Sequence, residues 1–158
     1  MQRRIPRQAI ALRVFGGCRT VPAQEPANLL PSQSRTMTRS NDCCIQSAFS
    51  IEDLSALRRM VTPEMLSYFS EQLADNASRG LINRVTDVKL LQGDLAEAWC
   101  EGRTDYATVA MKYALKDSMV ERASGRSVEG GEQSEVTELW TFMRARSGDW
   151  LLSAIQQT

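Results

Sequence analysis

Histidine is absent from the 158 residues of this chain. Imidazole is the commonest general base near neutral pH and the commonest metal ligand, so its absence excludes Ser-His and Cys-His nucleophile systems and leaves few ways to build a metal site. We therefore predict a protein that is not an enzyme and that has no catalytic residue, no metal and no cofactor.

Cysteine is scarce and is not spaced for metal binding. The four cysteines, Cys18, Cys43, Cys44 and Cys100, form no C-x-x-C pair, and a bridge between two adjacent cysteines would be strained. We interpret them as free thiols in a reducing compartment, in preference to a disulfide or a zinc site.

Long apolar runs are also absent. No stretch approaches the roughly 18 apolar residues that cross a bilayer, and Arg13 interrupts the apolar residues 9–15, which makes them a poor secretory signal. The Arg-rich, acid-poor start fits a mitochondrial transit peptide or a membrane-surface helix. Its prolines and paired glycines interrupt every candidate helix, however, so we favour an unstructured extension.

Charge is distributed unevenly along the chain. The formal net charge is zero, but residues 1–47 hold seven arginines against Glu25 and Asp42, which leaves the remainder acidic. Near Ala48 the Pro-, Ser- and Arg-rich composition gives way to regular apolar periods. We therefore predict a disordered basic extension over residues 1–47 and one domain over residues 48–158. Because this domain is acidic, we expect no nucleic-acid partner.

The first helix signal begins at Ser50. Ser50 can cap free backbone amides, and Asp53 favours the positive end of a helix dipole. The spacing predicts a short helix through about Met60 that buries Leu54, Leu57 and either Met60 or Val61.

A stronger helix signal begins at Thr62. Threonine caps the first turn, Pro63 suits the first helical position, and Glu64 faces the dipole. The helix is predicted to end near Gly80. Within this helix, apolar residues recur at three- and four-residue spacing, at Met65, Leu66, Phe69 and Leu73.

From residue 82 the apolar period shifts towards two. Strands are predicted over residues 82–92, 96–102, 104–121, 134–145 and 149–156, with turns at residues 93–94, 102–103, 125–132 and 147–149. Short connections without an intervening helix require antiparallel neighbours, so the predicted fold class is α+β.

Two of these strands indicate how the sheet faces the core. One face of the long strand is apolar, at Ala107, Val109, Met111, Tyr113 and Leu115. The strand over residues 134–145 has apolar groups on both faces, because Val136, Trp140 and Phe142 alternate with Leu139, Thr141 and Met143. Such a strand is expected to lie centrally in the sheet.

Four segments resemble one known family. They are MVTPEML at residues 60–66, LLQGDLAEAW at 90–99, WTFMRAR at 140–146 and WLLSAI at 150–155. Together they resemble the bacterial version of the Tim44-like domain, over roughly the last two thirds of the chain. That family belongs to the cone-shaped group that includes nuclear transport factor 2. The resemblance therefore implies short helices packed on a strongly curved antiparallel sheet of four or five strands, enclosing an apolar pocket.

Two features depart from the family pattern. Family members usually have a longer first helix ahead of the segment that begins at Asp53, and residues 41–49 are not expected to supply it. Bacterial relatives also tend to begin with a membrane-spanning helix and a Gly-rich linker, which residues 1–47 do not resemble.

The resemblance also implies a binding role. We expect a non-enzymatic module, peripheral to the inner membrane and facing the cytoplasm of a bacterium, or on the matrix side in a mitochondrion. Its expected partners are an anionic lipid surface and membrane-associated proteins of translocation or membrane-protein assembly, with homo-oligomerisation through the sheet as a further possibility. The expected pocket lining is Leu66, Phe69, Leu73, Val109, Met111, Tyr113, Trp140 and Phe142.

A small-molecule isomerase or dehydratase in the same cone is the alternative. A carboxylate against an apolar wall can act as a base, and a buried phenol can stabilise an enolate. The candidates are Asp105, Tyr106, Tyr113 and Asp117. This alternative requires two of them to converge on one ligand site.

Overall fold

A computed structural model describes residues 44–145 and 148–158. Within these ranges three helices come first and four strands follow. Residues 44–50 form α1, and the other elements are α2 (Leu54–Met60), α3 (Pro63–Ser78), β1 (Leu81–Glu101), β2 (Thr104–Glu121), β3 (Ser127–Ala145) and β4 (Leu151–Gln157).

The four strands form one antiparallel sheet in the order β1-β2-β3-β4. The predicted α+β class is confirmed, and β3 lies between two neighbours as its two apolar faces predict. Among the described residues the sheet curls without closing, which leaves β1 and β4 as its edges.

Strand β1 is continuous where two strands were predicted. The predicted turn at Gly93 and Asp94 is wrong, because these residues pair with Met111 and Ala110 of β2. Three register shifts interrupt the pairing, between residues 86 and 89, 90 and 92, and 95 and 97. Each bulge bends the strand and increases its twist. Gly93 and Asp94 lie in regular pairing between the second and third shifts and do not end the strand.

Strand β3 also begins earlier than predicted. It starts at Ser127, so the predicted turn over residues 125–132 is too long. Gly130 and Gly131 have positive φ angles of 73° and 98° and lie inside the strand, where Gly130 pairs with Ser118 across a register shift. The two glycines allow an irregularity that other residues would resist.

Side chains cap the first turns of α2 and α3. Thr62 caps α3 as predicted, because its hydroxyl accepts a hydrogen bond from the Met65 amide at 3.4 Å. The predicted capping by Ser50 is wrong: Asp53 caps α2, by accepting from the Ala56 amide at 2.9 Å. The Ser50 hydroxyl oxygen instead accepts a hydrogen bond from the Val85 amide of β1 at 3.0 Å. This bond links α1 to the sheet.

Helix α1 corrects the expectation that residues 41–49 supply no first helix. Residues 44–50 are helical, and Ile45 and Ala48 are buried in the core. Their three-residue spacing puts both on one helix face, which explains why this short segment is folded. The rest of the segment predicted to be disordered, residues 1–43, lies outside the described residues.

The core lies between the helices and the concave face of the sheet. The predicted inward face of β2 is confirmed, since Ala107, Val109, Met111, Tyr113 and Leu115 are all buried. Leu57 is buried, but Leu54, predicted to be buried with it, is 41% exposed. At the far end of the core, Thr62 donates its amide hydrogen to the Leu152 carbonyl oxygen at 2.9 Å, which joins α3 to β4.

No helix in the described ranges has the length and apolarity needed to cross a bilayer. Within the same ranges Cys44 and Cys100 are exposed and form no disulfide, and Cys18 and Cys43 lie outside them.

Candidate functional site

A cavity of about 600 Å³ lies between helices α1 and α3 and the concave face of the sheet. We call it the concave cavity. Buried side chains from four elements form its floor and walls: Ile45 of α1, Phe69 of α3, Tyr113 of β2 and Trp140 of β3. Its volume is in the range of about 300–1,000 Å³ typical of small-ligand sites.

Glu138 is the unusual residue of this cavity. It is only 6% exposed, and it lies on the core face of β3, two residues before Trp140. Its Oε2 atom accepts two hydrogen bonds, one from the Tyr113 hydroxyl and one from the Trp140 indole nitrogen at 2.9 Å. Burial of a carboxylate is costly unless hydrogen bonds compensate it, and these two donors provide part of that compensation.

Strand register explains how the three side chains meet. Met111 of β2 lies opposite Glu138, and Tyr113 lies opposite Val136. Tyr113 is therefore a diagonal neighbour of Glu138 on the same sheet face, within reach of a long side chain. Trp140 shares that face because alternate residues of a strand point the same way.

The hydrogen-bonded group continues into helix α1. The Gln46 amide nitrogen donates to the Tyr113 hydroxyl oxygen at 3.4 Å, and that hydroxyl donates to Glu138. Elsewhere in the lining, the Asn83 amide donates to Asp117 at 2.9 Å. Such linked polar groups hold their side chains in fixed orientations and are built into the cavity before any ligand arrives.

Acidic groups outnumber basic groups around the concave cavity. Among the described residues, five carboxylate residues and one arginine line it: Glu71, Asp75, Asp117, Glu129, Glu138 and Arg79. Arg79 lies 3.5 Å from Asp75 and so offsets one of the carboxylates. The cavity therefore presents a negative potential to a ligand.

Tyr68 of helix α3 is a half-buried residue of the cavity lining. Its hydroxyl oxygen accepts a hydrogen bond from the Gln72 amide at 3.0 Å. Burial raises the pKa of Tyr68, the Gln72 hydrogen bond lowers it, and the neighbouring charge of Glu71 raises it, with a net increase. The phenol is therefore a neutral group at physiological pH.

Three of the eight predicted pocket residues line the concave cavity: Phe69, Tyr113 and Trp140. The other five lie outside its wall. Of these, Leu73, Val109, Met111 and Phe142 are buried and Leu66 is half-buried. Packing against other core side chains accounts for Leu66, Val109, Met111 and Phe142.

Sequence reasoning missed Gln46 and Glu138. The signal for Glu138 is its position, because period-two alternation places it on the same face as Val136 and Trp140. A charged residue on a core face marks either a paired structural group or a functional one. Gln46 gave no comparable signal, because its role depends on how α1 packs.

The four proposed proton-transfer residues separate into two groups. Tyr113 and Asp117 both line the concave cavity. Asp105 instead accepts from Arg144 at 2.8 Å, and Tyr106 stacks on Trp99 with ring centroids 5.0 Å apart. Among the described residues, no group of three or more Cys, Asp or Glu side chains could hold a metal ion.

A second, wider depression of about 760 Å³ lies between the α1–α2 turn and β1. Its lining includes Ser50, Ile51 and Asp87, and every residue that lines it is exposed or half-buried. The part of the chain that the structure describes provides no buried polar group there to fix a ligand, so it does not build a specific site at this depression.

Comparisons with known proteins agree with this architecture. In a search of solved structures, the intermembrane-space region of the chloroplast protein ARC6 is similar, with a TM-score of 0.52 and 15% identity over 79% of this chain and 97% of that one. At that identity the likeness concerns the fold alone. No match was found among curated protein sequences. The sequence profile of the Tim44-like domain matches residues 38–157, and the chain therefore belongs to the Tim44-like domain family.

Proposed function

We propose that this protein is a non-enzymatic binding module, peripheral to a membrane, which holds part of a membrane-associated protein in the concave cavity. The main support is the cavity itself, which has ligand size, aromatic walls and a buried, hydrogen-bonded carboxylate at Glu138. A chain of this size gains stability from a closely packed core, so a large polar-lined cavity is unfavourable for folding alone. Binding explains why it is present.

Membrane contact is proposed to involve α2 and the turn before it. Ile51 is 69% exposed, Leu54 is exposed one helical turn before Arg58, and Arg59 is exposed beside it. Apolar side chains can enter the lipid boundary, and each arginine adds about 1 kcal/mol of attraction to an anionic surface. The acidic concave cavity is unsuited to anionic lipid, which favours separate lipid and protein surfaces.

The cavity proposal is tested by filling the cavity mouth. Asn76 lines the cavity from α3, and Ser67 is exposed on the same helix outside the lining. Tagged full-length protein, its Asn76→Trp variant and its Ser67→Trp variant are incubated with detergent-solubilised membranes from the source cells. We expect the same captured partner with wild type and Ser67→Trp, and loss of it with Asn76→Trp. Equal capture by all three would overturn the cavity proposal.

Membrane contact is tested with vesicles. Leu54 and Leu91 are equally exposed leucines, at 41% and 42%, and lie on α2 and β1 respectively. We expect wild type and Leu91→Asp to sediment with anionic vesicles at low salt, and Leu54→Asp to remain in solution. Recovery of the wild type in the soluble fraction, with no partner captured from membranes, would contradict peripheral membrane binding.

Membership of the Tim44-like domain family supports the proposed location. We place the protein at the inner membrane, facing the cytoplasm of a bacterium or the matrix of a mitochondrion, where it serves translocation or membrane-protein assembly. Fractionation of source cells with an antibody to the chain tests the location. Homo-oligomerisation through the sheet is tested separately by light scattering on the purified protein.

An isomerase-like reaction is a second candidate, because Tyr113, Asp117 and Glu138 line one cavity. A carboxylate there would remove a proton from the carbon beside a carbonyl group, and the Tyr113 hydroxyl would stabilise the enolate. Deuterium exchange into a cyclic ketone in D₂O, followed by NMR for wild type and Glu138→Gln, tests this. Exchange that depends on Glu138 would favour the enzyme, and a rate equal to that in buffer would exclude the reaction for that ketone.

A further inference from the structure

The concave cavity has a charge distribution that selects one class of ligand. Of the described residues that line it, one is an arginine, which Asp75 offsets, and the other four charged residues are carboxylates. We propose that the cavity receives an arginine or lysine side chain of a polypeptide partner, with an N–H group donating to Glu138. This inference rests on the proposed binding function and specifies the chemistry of the partner.

Glu138 is the site of recognition because no basic group among the described residues is its partner. Both of its hydrogen bonds come from neutral donors and end on Oε2. In the part of the chain that the structure describes, no donor reaches Oε1 and no basic group lies within ion-pair distance. A buried carboxylate of this kind binds a cation strongly, since a charge-assisted hydrogen bond to Oε1 would complete its compensation.

The aromatic walls suit the rest of a basic side chain. Phe49 and Phe69 lie with ring centroids 5.4 Å apart, and Tyr68 and Phe69 with centroids 6.2 Å apart. Aromatic faces attract guanidinium and ammonium groups, and the methylene stem of Arg or Lys can pack along the same rings. Arginine is favoured over lysine, because its planar guanidinium group can stack on an aromatic ring and donate hydrogen bonds at the same time.

A polypeptide fits this cavity better than a phospholipid does. Every phospholipid headgroup places a phosphate within a few bonds of any amine it has, and that phosphate would meet the excess of carboxylates. A basic residue with apolar neighbours has no such penalty. Its apolar neighbours would contact the buried floor at Ile45, Phe69 and Ile155.

The first test uses unmodified protein. Two fluorescent pentapeptides are titrated against the full chain, and binding is followed by anisotropy. In each peptide the central residue lies between pairs of leucines and alanines. The central residue is arginine in one peptide and citrulline in the other. Citrulline has nearly the same shape as arginine but no charge. We expect the arginine peptide to bind at least about tenfold more tightly, a difference that a single charge-assisted bond can produce. High salt should reduce this preference.

The second test locates the carboxylate. Glu138→Gln keeps the size of the side chain and removes its charge, and Glu97→Gln makes the same change at an exposed position of β1 outside the cavity lining. We expect Glu138→Gln to lose the preference for arginine and Glu97→Gln to keep it. If Glu138→Gln does not fold, Glu71→Gln, at an exposed position of the cavity mouth, should reduce arginine binding a few-fold.

The outcomes separate this inference from the proposed function. Equal binding of both peptides that is abolished by Asn76→Trp would overturn the basic-residue inference and leave the cavity as a binding site. Binding of neither peptide by the wild type would likewise overturn the basic-residue inference, while capture of a membrane partner sensitive to Asn76→Trp would still support the binding function. An arginine preference that survives both Glu138→Gln and Glu71→Gln would show that another surface binds the peptide, and would overturn it too.

Discussion

Trp140 donates its indole N–H to the carboxylate of Glu138 at 2.9 Å, from a position two residues farther along the same strand. Both side chains point to the concave face, and Trp140 is fully buried. The indole therefore fills the core with its ring and compensates a buried carboxylate with its single donor. Packing and polar compensation can be separated by substitution at this one position.

Trp140→Phe should lower the free energy of unfolding by about 1–3 kcal/mol, because it removes a hydrogen bond to a buried carboxylate while keeping an aromatic ring. Chemical denaturation measures the change. Trp99→Phe is the control, since half-buried Trp99 stacks on Tyr106, and its loss should be smaller. Equal losses at the two positions would show that the bond to Glu138 contributes little.

Trp140→Ala should cost about 3–5 kcal/mol, the range for deleting a large buried aromatic residue. We also expect it to weaken binding of the arginine peptide at least about tenfold, because Trp140 orients Glu138. The measurement pairs thermal unfolding with peptide titration of the folded fraction. Full loss of stability with unchanged binding would mean that Trp140 serves packing alone.

Gly130→Ala should destabilise the protein more than Gly102→Ala. Both glycines have positive φ angles, 73° and 59°, so each substitution has a conformational cost of about 1–2 kcal/mol. At Gly130 an added Cβ would also clash with the backbone carbonyl of Asp117, whereas the space around Gly102 is open. We expect the clash to add about 1–3 kcal/mol. Equal unfolding midpoints would show that the Gly130 bulge can relax.

Tyr68 should titrate above the ordinary tyrosine pKa of 10.0, because burial and Glu71 raise its pKa by more than Gln72 lowers it. Since the folded-state pKa exceeds the unfolded value, the stability from the neutral phenol is fully present below pH 10.0 and is lost as pH rises through the folded-state pKa. The difference in phenolate absorbance between wild type and Tyr68→Phe measures this titration. A midpoint at or below 10.0 would contradict the prediction.

Local sequence signals were sufficient for several elements. Thr62 and Pro63 identified the start of α3, because capping involves neighbours in sequence. Strict alternation in β2 identified its buried face. The same alternation places Glu138 inward, so the central residue of the concave cavity could have been found from its position on β3.

Other features required knowledge of the partners of a residue. Gly93 and Asp94 have the composition of a turn, yet β2 extends past them and pairs with both, so they lie within a bulged strand. Ser50 has the composition of a helix cap, but the amide it binds belongs to Val85 in the sheet. In each case the residue type is compatible with two local structures, and a contact with a residue distant in sequence decides which of them forms.

The sequence by itself determined the α+β class, the family, the inward face of the sheet and the excess of acidic residues. Only the tertiary structure decided that Gln46, Tyr113, Glu138 and Trp140 form one hydrogen-bonded group in the wall of a cavity. The physical reason is that periodicity and capping are local energies. The cavity, by contrast, depends on how α1 and α3 cover a sheet whose curvature is set by bulges.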